Sequence, residues 1–264
     1  MLMLRLAVEG VGGATSRSLE AVGVAGRFVG RTARAARDVR TWAPSATLQM
    51  RILGVDSLPI AVFIALFTGI VLALLVNYSF TGVVPLYLVG TLVEKTVVME
   101  LAPVLTGLAL AGRVGANIAA ELGTMRVTEQ IDALETLAYD PIAYLVVPRL
   151  LAALIMLPVL TVFANAVGVF AAYMTAVLAT DVLSSQFLEG LKLGFAPFQI
   201  FYSLLKAVMF GGAIAFVCSY EGYITEAGAE GVGRSTAKAV VIASVAILVL
   251  DALTAALLAP QLQG

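Results

Sequence analysis

The chain has 264 residues, 61% of them hydrophobic and 12% charged, and a net charge of −1; its mean hydropathy is +1.00. That composition excludes a water-soluble surface and indicates a multi-span helical membrane protein. The near-neutral balance offers no basic field to a nucleic acid. Histidine is absent, which excludes His-based general bases, Ser/His/Asp triads and the usual zinc or iron sites. The single cysteine, Cys218, has no intrachain partner and reads as packing.

The first residues lack a basic n-region followed by an apolar core and a small-residue cleavage site, so the mature chain is expected to begin here. Residues 1–57 hold eight arginines against four acids and no run long enough to cross a bilayer. This segment is expected to stay on one side. Arg27, Arg31 and Arg34 recur at helical spacing beside Val24, Phe28 and Val29, the pattern of an interfacial amphipathic helix; a solvated basic tail is the alternative.

From Leu58 to Val76 there are 19 uncharged residues, enough at about 1.5 Å per residue to cross a hydrocarbon core of roughly 30 Å. Four further spans are predicted, at about 86–111, 150–179, 197–220 and 239–259. The link 77–85 reads as an external turn, and 181–196 as a connector with a partly amphipathic piece. Arginine and lysine concentrate in residues 1–57, in the segment 113–149 and in the loop 221–238. The N-terminus is therefore expected in the cytoplasm and the C-terminus, after five spans, outside.

The segment 113–140 is long and charged for a loop, yet patterned. Thr128 is a plausible N-cap with Glu129 in the first turn. Ile131, Leu134 and Ala138 fall on one face, and Asp140 before Pro141 ends the helix. Such a cytoplasmic amphipathic helix suits a membrane subunit pushed by a soluble motor; a solvated connector is the plain alternative. Gly228, Gly233, Arg234 and Ser235 have P-loop spacing, but arginine stands for the lysine and no strand precedes them. They read as a tight turn into the fifth helix. Small residues crowd two places, Gly107 to Ala116 and Gly211 to Ala215, and indicate close helix approach, within the chain or between copies.

The strings GVDSLPIAVFIALFTGIVLAL (Gly54 to Leu74) and ELAPVLTGLALAGRVGANIAAELGTMRVTEQIDALETLAYDPIAYLVVPRLLA (Glu100 to Ala152) resemble the MlaE/YrbE permease family of the Mla, Mce and chloroplast TGD lipid transporters. The resemblance implies a permease dimer, of identical or paralogous protomers. It implies two copies of a separate ABC ATPase, which would hold ATP and magnesium so that this chain needs no cofactor and catalyses nothing, and an MCE-domain protein outside. By the same likeness the stretch Glu121 to Glu135 is the coupling helix, with Glu129, Asp132 and Glu135 as contacts and Arg126 beside them. The chain departs from the family at Met99, where an arginine is usual before Glu100, and at Leu75, where a glutamine is common. Lys95 is poorly placed to replace that arginine, although another helix could supply the charge.

Ionisable groups inside a bilayer cost roughly 2.5 to 3.5 kcal/mol on insertion scales and usually face a bundle interior or a wet cavity. Glu100 and Asp251 are therefore candidate lipid-pathway residues, or else a structural pair or polar clamp. Glu94 and Lys95 read as local adjustment to the outer interface. Two function classes follow. One is the permease subunit of an ATP-driven lipid transporter; the other is a stand-alone secondary transporter or channel using the intramembrane carboxylates. An intramembrane enzyme lacks a nucleophile and base.

Overall fold

The computed structural model describes residues 23–24, 26–79, 85–226 and 228–258. Among them every regular element is helical and none is a strand. Helix α1 (26–35) is followed by α2 (Val39–Leu53), which a short 3-10 turn, Val55–Ser57, joins to α3 (Leu58–Ser79). The next run contains α4 (Tyr87–Thr96), α5 (Ala102–Leu110) and α6 (Ala116–Val127), spliced by π turns at Val97–Leu101 and Ala111–Gly115. Then come α7 (Gln130–Thr136), a π turn at Ile142–Val146 leading into α8 (Val147–Ala179), α9 (Ser184–Gly194), α10 (Pro197–Tyr223) and α11 (Ala229–Leu258).

Five helical runs are long and apolar enough to cross a membrane: Val39–Ser79, Tyr87–Val127, Ile142–Ala179, Pro197–Tyr223 and Ala229–Leu258. The five-span expectation holds. The helices outrun the apolar stretches, however. The second span continues to Val127 instead of stopping near residue 111, the third starts at Ile142 instead of 150, and the fifth starts at Ala229 instead of 239. A charge ends hydropathy without ending a helix, and these charges are tolerated because they are paired or sit at helix ends.

Close packing by small residues positions the spans, as expected where lipid removes the hydrophobic drive between helices. A Cβ on Gly69 of α3 would stand 2.1 Å from the Gly168 carbonyl oxygen of α8. Likewise a Cβ on Gly190 of α9 would stand 1.8 Å from the Tyr87 carbonyl oxygen of α4, where Thr91 Oγ1 donates to the Gly190 carbonyl at 2.7 Å. The expected amphipathic connector is thus α9, docked along α4. A central core of Leu110, Ile118, Leu122, Leu157, Phe210, Ile214 and Ile247 joins α5, α6, α8, α10 and α11.

On α1, Phe28, Thr32 and Ala35 are buried while Arg27, Arg31 and Arg34 are exposed. The Phe28 ring meets Phe216, Tyr220 and Tyr223 at centroid distances of 5.6, 5.4 and 5.6 Å. Val29, expected on the apolar flank, is 50% exposed. The aromatic contacts place α1 beside the last turn of α10, so one end of the bundle carries α1, α7 and the α10–α11 turn. The opposite end carries α9. The P-loop-like residues lie in that turn and in the first turns of α11, where Arg234 pairs with Glu230 at 2.8 Å.

Gly69→Val should overpack the α3/α8 contact and cost about 1 to 3 kcal/mol, read as a lower thermal midpoint of the purified chain. Gly233→Ala, exposed and with nothing within 4 Å of the added carbon, should leave that midpoint unchanged or raise it.

Candidate functional site

The most concentrated polar feature inside the spans is Lys206 of α10. Its side chain is wholly buried, and its Nζ lies 2.6 Å from Glu100 Oε2 and 2.6 Å from Asp251 Oδ1. The contact to Glu100 is a hydrogen bond; the one to Asp251 is an ion pair by distance whose angle falls short of a hydrogen bond. Nζ also donates to the Met99 carbonyl at 3.3 Å and lies 4.6 Å from the Tyr202 ring centroid. The Tyr202 hydroxyl donates to Glu100 Oε1 at 3.4 Å.

Each element delivers its residue for a local reason. The π turn Val97–Leu101 carries Glu100 just ahead of Pro103, which occupies the first turn of α5. Proline has no N–H to give the preceding turn, so the wider turn absorbs the missing bond. α11 carries Asp251 on the face toward α10. Burying a lone ammonium in an apolar span costs several kcal/mol, and two carboxylates offset that cost. The side chains of Glu100 and Asp251 are 41% and 23% exposed, so the cluster is buried at its cation and open at its anions. Such an arrangement is able to receive a polar headgroup, a water or a proton at the carboxylates while the ammonium stays fixed.

Glu100 and Asp251, named separately from the sequence, thus belong to one site, and the charge expected from another helix comes from Lys206. Sequence reasoning passed over Lys206. The signal was present, since it is an isolated cation inside the otherwise uncharged stretch 197–220.

The second group of named residues lies at the bundle end that carries α1. Glu121 of α6 accepts from Arg149 at 2.9 Å, and Arg149, expected in a loop, is 4% exposed and also donates to the Leu145 carbonyl at 2.6 Å. This pair ties the second and third spans. Arg126 pairs with Asp132 at 2.6 Å across the bend between α6 and α7. Glu129 and Glu135 are exposed and make no ion pair among the described residues. Ile131 is fully buried and pins α7 to the bundle.

Three local expectations need correction here. Thr128 closes α6 and its hydroxyl donates to the Thr124 carbonyl at 2.8 Å, so it does not cap α7. Glu129 itself is the N-cap, in a left-handed conformation with φ 60°. Asp140 does not terminate α7, which stops at Thr136; its Oδ1 accepts from the Ile142 N–H at 2.9 Å and caps the following helix. Ala138, expected on the apolar face, is exposed with φ 61°. Left-handed residues at Glu129 and Ala138 bound α7 on its two sides.

The family profile described as Permease MlaE matches residues 46–257. The chain belongs to the MlaE permease family. It is 34% identical over 224 residues to the intermembrane phospholipid transport system permease protein MlaE of Haemophilus influenzae, covering 83% of this chain and 85% of that one. It is 42% identical over 201 residues to a probable ABC transporter permease protein of Rickettsia prowazekii, covering 76% and 78%. The chloroplastic protein TRIGALACTOSYLDIACYLGLYCEROL 1 of Arabidopsis thaliana is 32% identical over 203 residues, covering 77% of this chain and 58% of that one. As an MlaE-family permease this chain is a multi-pass membrane protein of ABC type, and the matched stretch includes Lys206, Glu100, Asp251 and all of α7.

Lys206→Met should destabilise the chain by about 3 to 5 kcal/mol, because it leaves two carboxylates without their cation. Glu100→Gln should cost much less, since Asp251 still partners the lysine. Thermal unfolding of the two purified variants against the parent checks the order, which a lysine of no structural weight would not produce.

Proposed function

We propose that this MlaE-family chain is the permease subunit of an ABC-type lipid transporter in the inner membrane, driven by a separate ATPase. The observation that carries the reading is the construction of α7. The helix is held to the bundle by buried Ile131 and half-buried Leu134, while Glu129, Asp132 and Glu135 are exposed. The exposed Leu137 and Tyr139 follow it directly. A short rigid helix with an acidic rim and an apolar tip suits a groove on a soluble partner, with the charges steering and the apolar tip docking.

The same piece is mechanically connected to the membrane. α7 bends off α6 through the Arg126–Asp132 pair, and α6 continues through a π turn and α5 to the turn bearing Glu100. A pull on α7 by closure of two ATPase copies would act along the helix that holds one carboxylate of the Lys206 cluster. Shifting Glu100 against Asp251 would change how a lipid headgroup is held between two permease protomers. Glu121, paired with Arg149, would brace the second and third spans during that movement. ATP and magnesium would belong to the ATPase, and an MCE-domain protein outside would exchange lipid with the cavity. The H. influenzae relative's name, a phospholipid transport permease, points to phospholipid as the cargo.

Charge supports an orientation. Arg27, Arg31, Arg34, Arg126, Arg149, Arg234 and Lys238 all lie toward the end that carries α1 and α7, which favours a cytoplasmic position for that end and the N-terminus and an outer position for the C-terminus. Exposed arginines on α1 would then meet anionic headgroups at the inner interface.

Glu129→Lys combined with Glu135→Lys leaves the Arg126–Asp132 pair intact and should weaken retention of the co-expressed ATPase by about tenfold or more, measured by pull-down from solubilised membranes. Undiminished retention would refute α7 as the docking element. Because Cys218 is fully buried, a cysteine replacing exposed Ala133 should label alone, and only from the cytoplasmic face of oriented vesicles.

A further inference from the structure

A second polar feature lies apart from the Lys206 cluster. Glu94 of α4 is 2% exposed, and neither carboxylate oxygen has a hydrogen-bond partner among the described residues. The sequence suggested a residue adjusting to the interface, and neighbouring Lys95 is indeed exposed, but Glu94 turns inward against α9. It lines a groove of about 480 Å³ between α4, α8, α9 and the start of α10, within the range of roughly 300 to 1,000 Å³ of small-molecule sites. Apart from Asn165 and Tyr173 the rest of the wall is apolar, with Val162, Val169, Phe170, Leu188, Leu191 and Phe195.

Three facts define what this groove would take. Its rim is open to the side, because Val162, Phe170, Leu188 and Phe195 are 50%, 62%, 44% and 49% exposed. Tyr173 is satisfied by Ser184 at 2.7 Å, whereas three acceptor oxygens of the lining have no donor among the described residues. Asn165, 8% exposed, donates its Nδ2 to Ser203 Oγ at 3.2 Å, yet its Oδ1 is unpartnered, as are both oxygens of Glu94. Beside the carboxyl, Gly194 keeps a gap that a Cβ would narrow to 3.4 Å from Glu94 Oε2.

An unpartnered buried acceptor costs about 1 to 3 kcal/mol, more when charged. Donors would therefore have to come from the occupant. Along α8 the groove extends from Tyr173 to Val162, about 16 Å at 1.5 Å per residue, a slot for an extended hydrocarbon chain. Glu94 lies seven residues from the start of α4, about 10 Å along the axis, at the groove's α9 end. An apolar slot ending in a carboxyl group complements a chain ending in an ammonium group.

We propose that this groove binds an aminophospholipid drawn sideways from the bilayer, its acyl chain along α8 and its primary ammonium donating to Glu94. A quaternary choline headgroup has no N–H to donate, and an anionic headgroup would be repelled by a carboxylate. The site is separate from the Lys206 cluster and does not depend on ATP-driven transport, since Glu94 and Glu100 point to different faces of the same run.

The test is native mass spectrometry of the full chain with dioleoyl phosphatidylethanolamine, phosphatidylcholine or phosphatidylglycerol as the added probe. The unmodified chain should retain one phosphatidylethanolamine about tenfold more tightly than either of the others, the worth of a hydrogen bond to a charged group. Glu94→Leu should abolish that preference, and Leu188→Trp, which fills the groove, should lose the bound lipid. Equal retention of the three lipids by the unmodified chain would overturn the proposal whether or not the variants fold. Persistence of the preference in a folded Glu94→Leu chain would overturn it as well.

Discussion

Lys206 is the residue on which the interior organisation turns. In a bilayer, apolar side chains gain nothing by meeting one another, so spans are joined by shape and by polar contacts. An ammonium buried in α10 needs anions from its neighbours, and it takes one from the second span and one from the fifth. The three helices are thereby set in register at one height. The π turn at Val97–Leu101, set by Pro103 behind it, puts Glu100 where the lysine ends.

Away from that point the spans are joined by backbone approach. α3 and α8 meet at Gly69 and Gly168, and α4 and α9 meet at Gly90 and Gly190. These contacts tolerate almost no sliding, because any added atom would strike a carbonyl. The polar cluster is a different kind of joint, in which one cation is shared between two anions and either distance is able to lengthen while the other holds. Closely packed pairs of helices around a shareable ionic centre are an arrangement through which, on the proposed reading, force applied at α7 would act.

The parts of this architecture that were legible from residues alone are those written in local pattern. Apolar runs gave the five spans, and the long string from Glu100 to Ala152 gave the family. What escaped was pairing across the chain. Arg149 counted as a loop charge because its partner, Glu121, is 28 residues away and unseen in any window. Lys206 was silent for the same reason, as its acids lie 106 and 45 positions distant. Asp140 before proline has the pattern of a stop, whereas its carboxylate serves the next helix. Helix ends depart from the apolar limits wherever a charge lies inside a helix. Of the residues proposed to couple to a motor, pattern alone could not separate those committed to internal pairs, Glu121, Arg126 and Asp132, from those left outward, Glu129 and Glu135.

The wide turn at Val97–Leu101 also constrains the length of the chain around it. It separates Glu94, aimed at the lateral groove, from Glu100, aimed at Lys206. Removing or adding one residue there would rotate everything upstream by about 100° and shift it about 1.5 Å. α4 is unable to follow, because Gly90 lies against the backbone of α9. The eleven positions from Gly90 to Glu100 are therefore fixed in number.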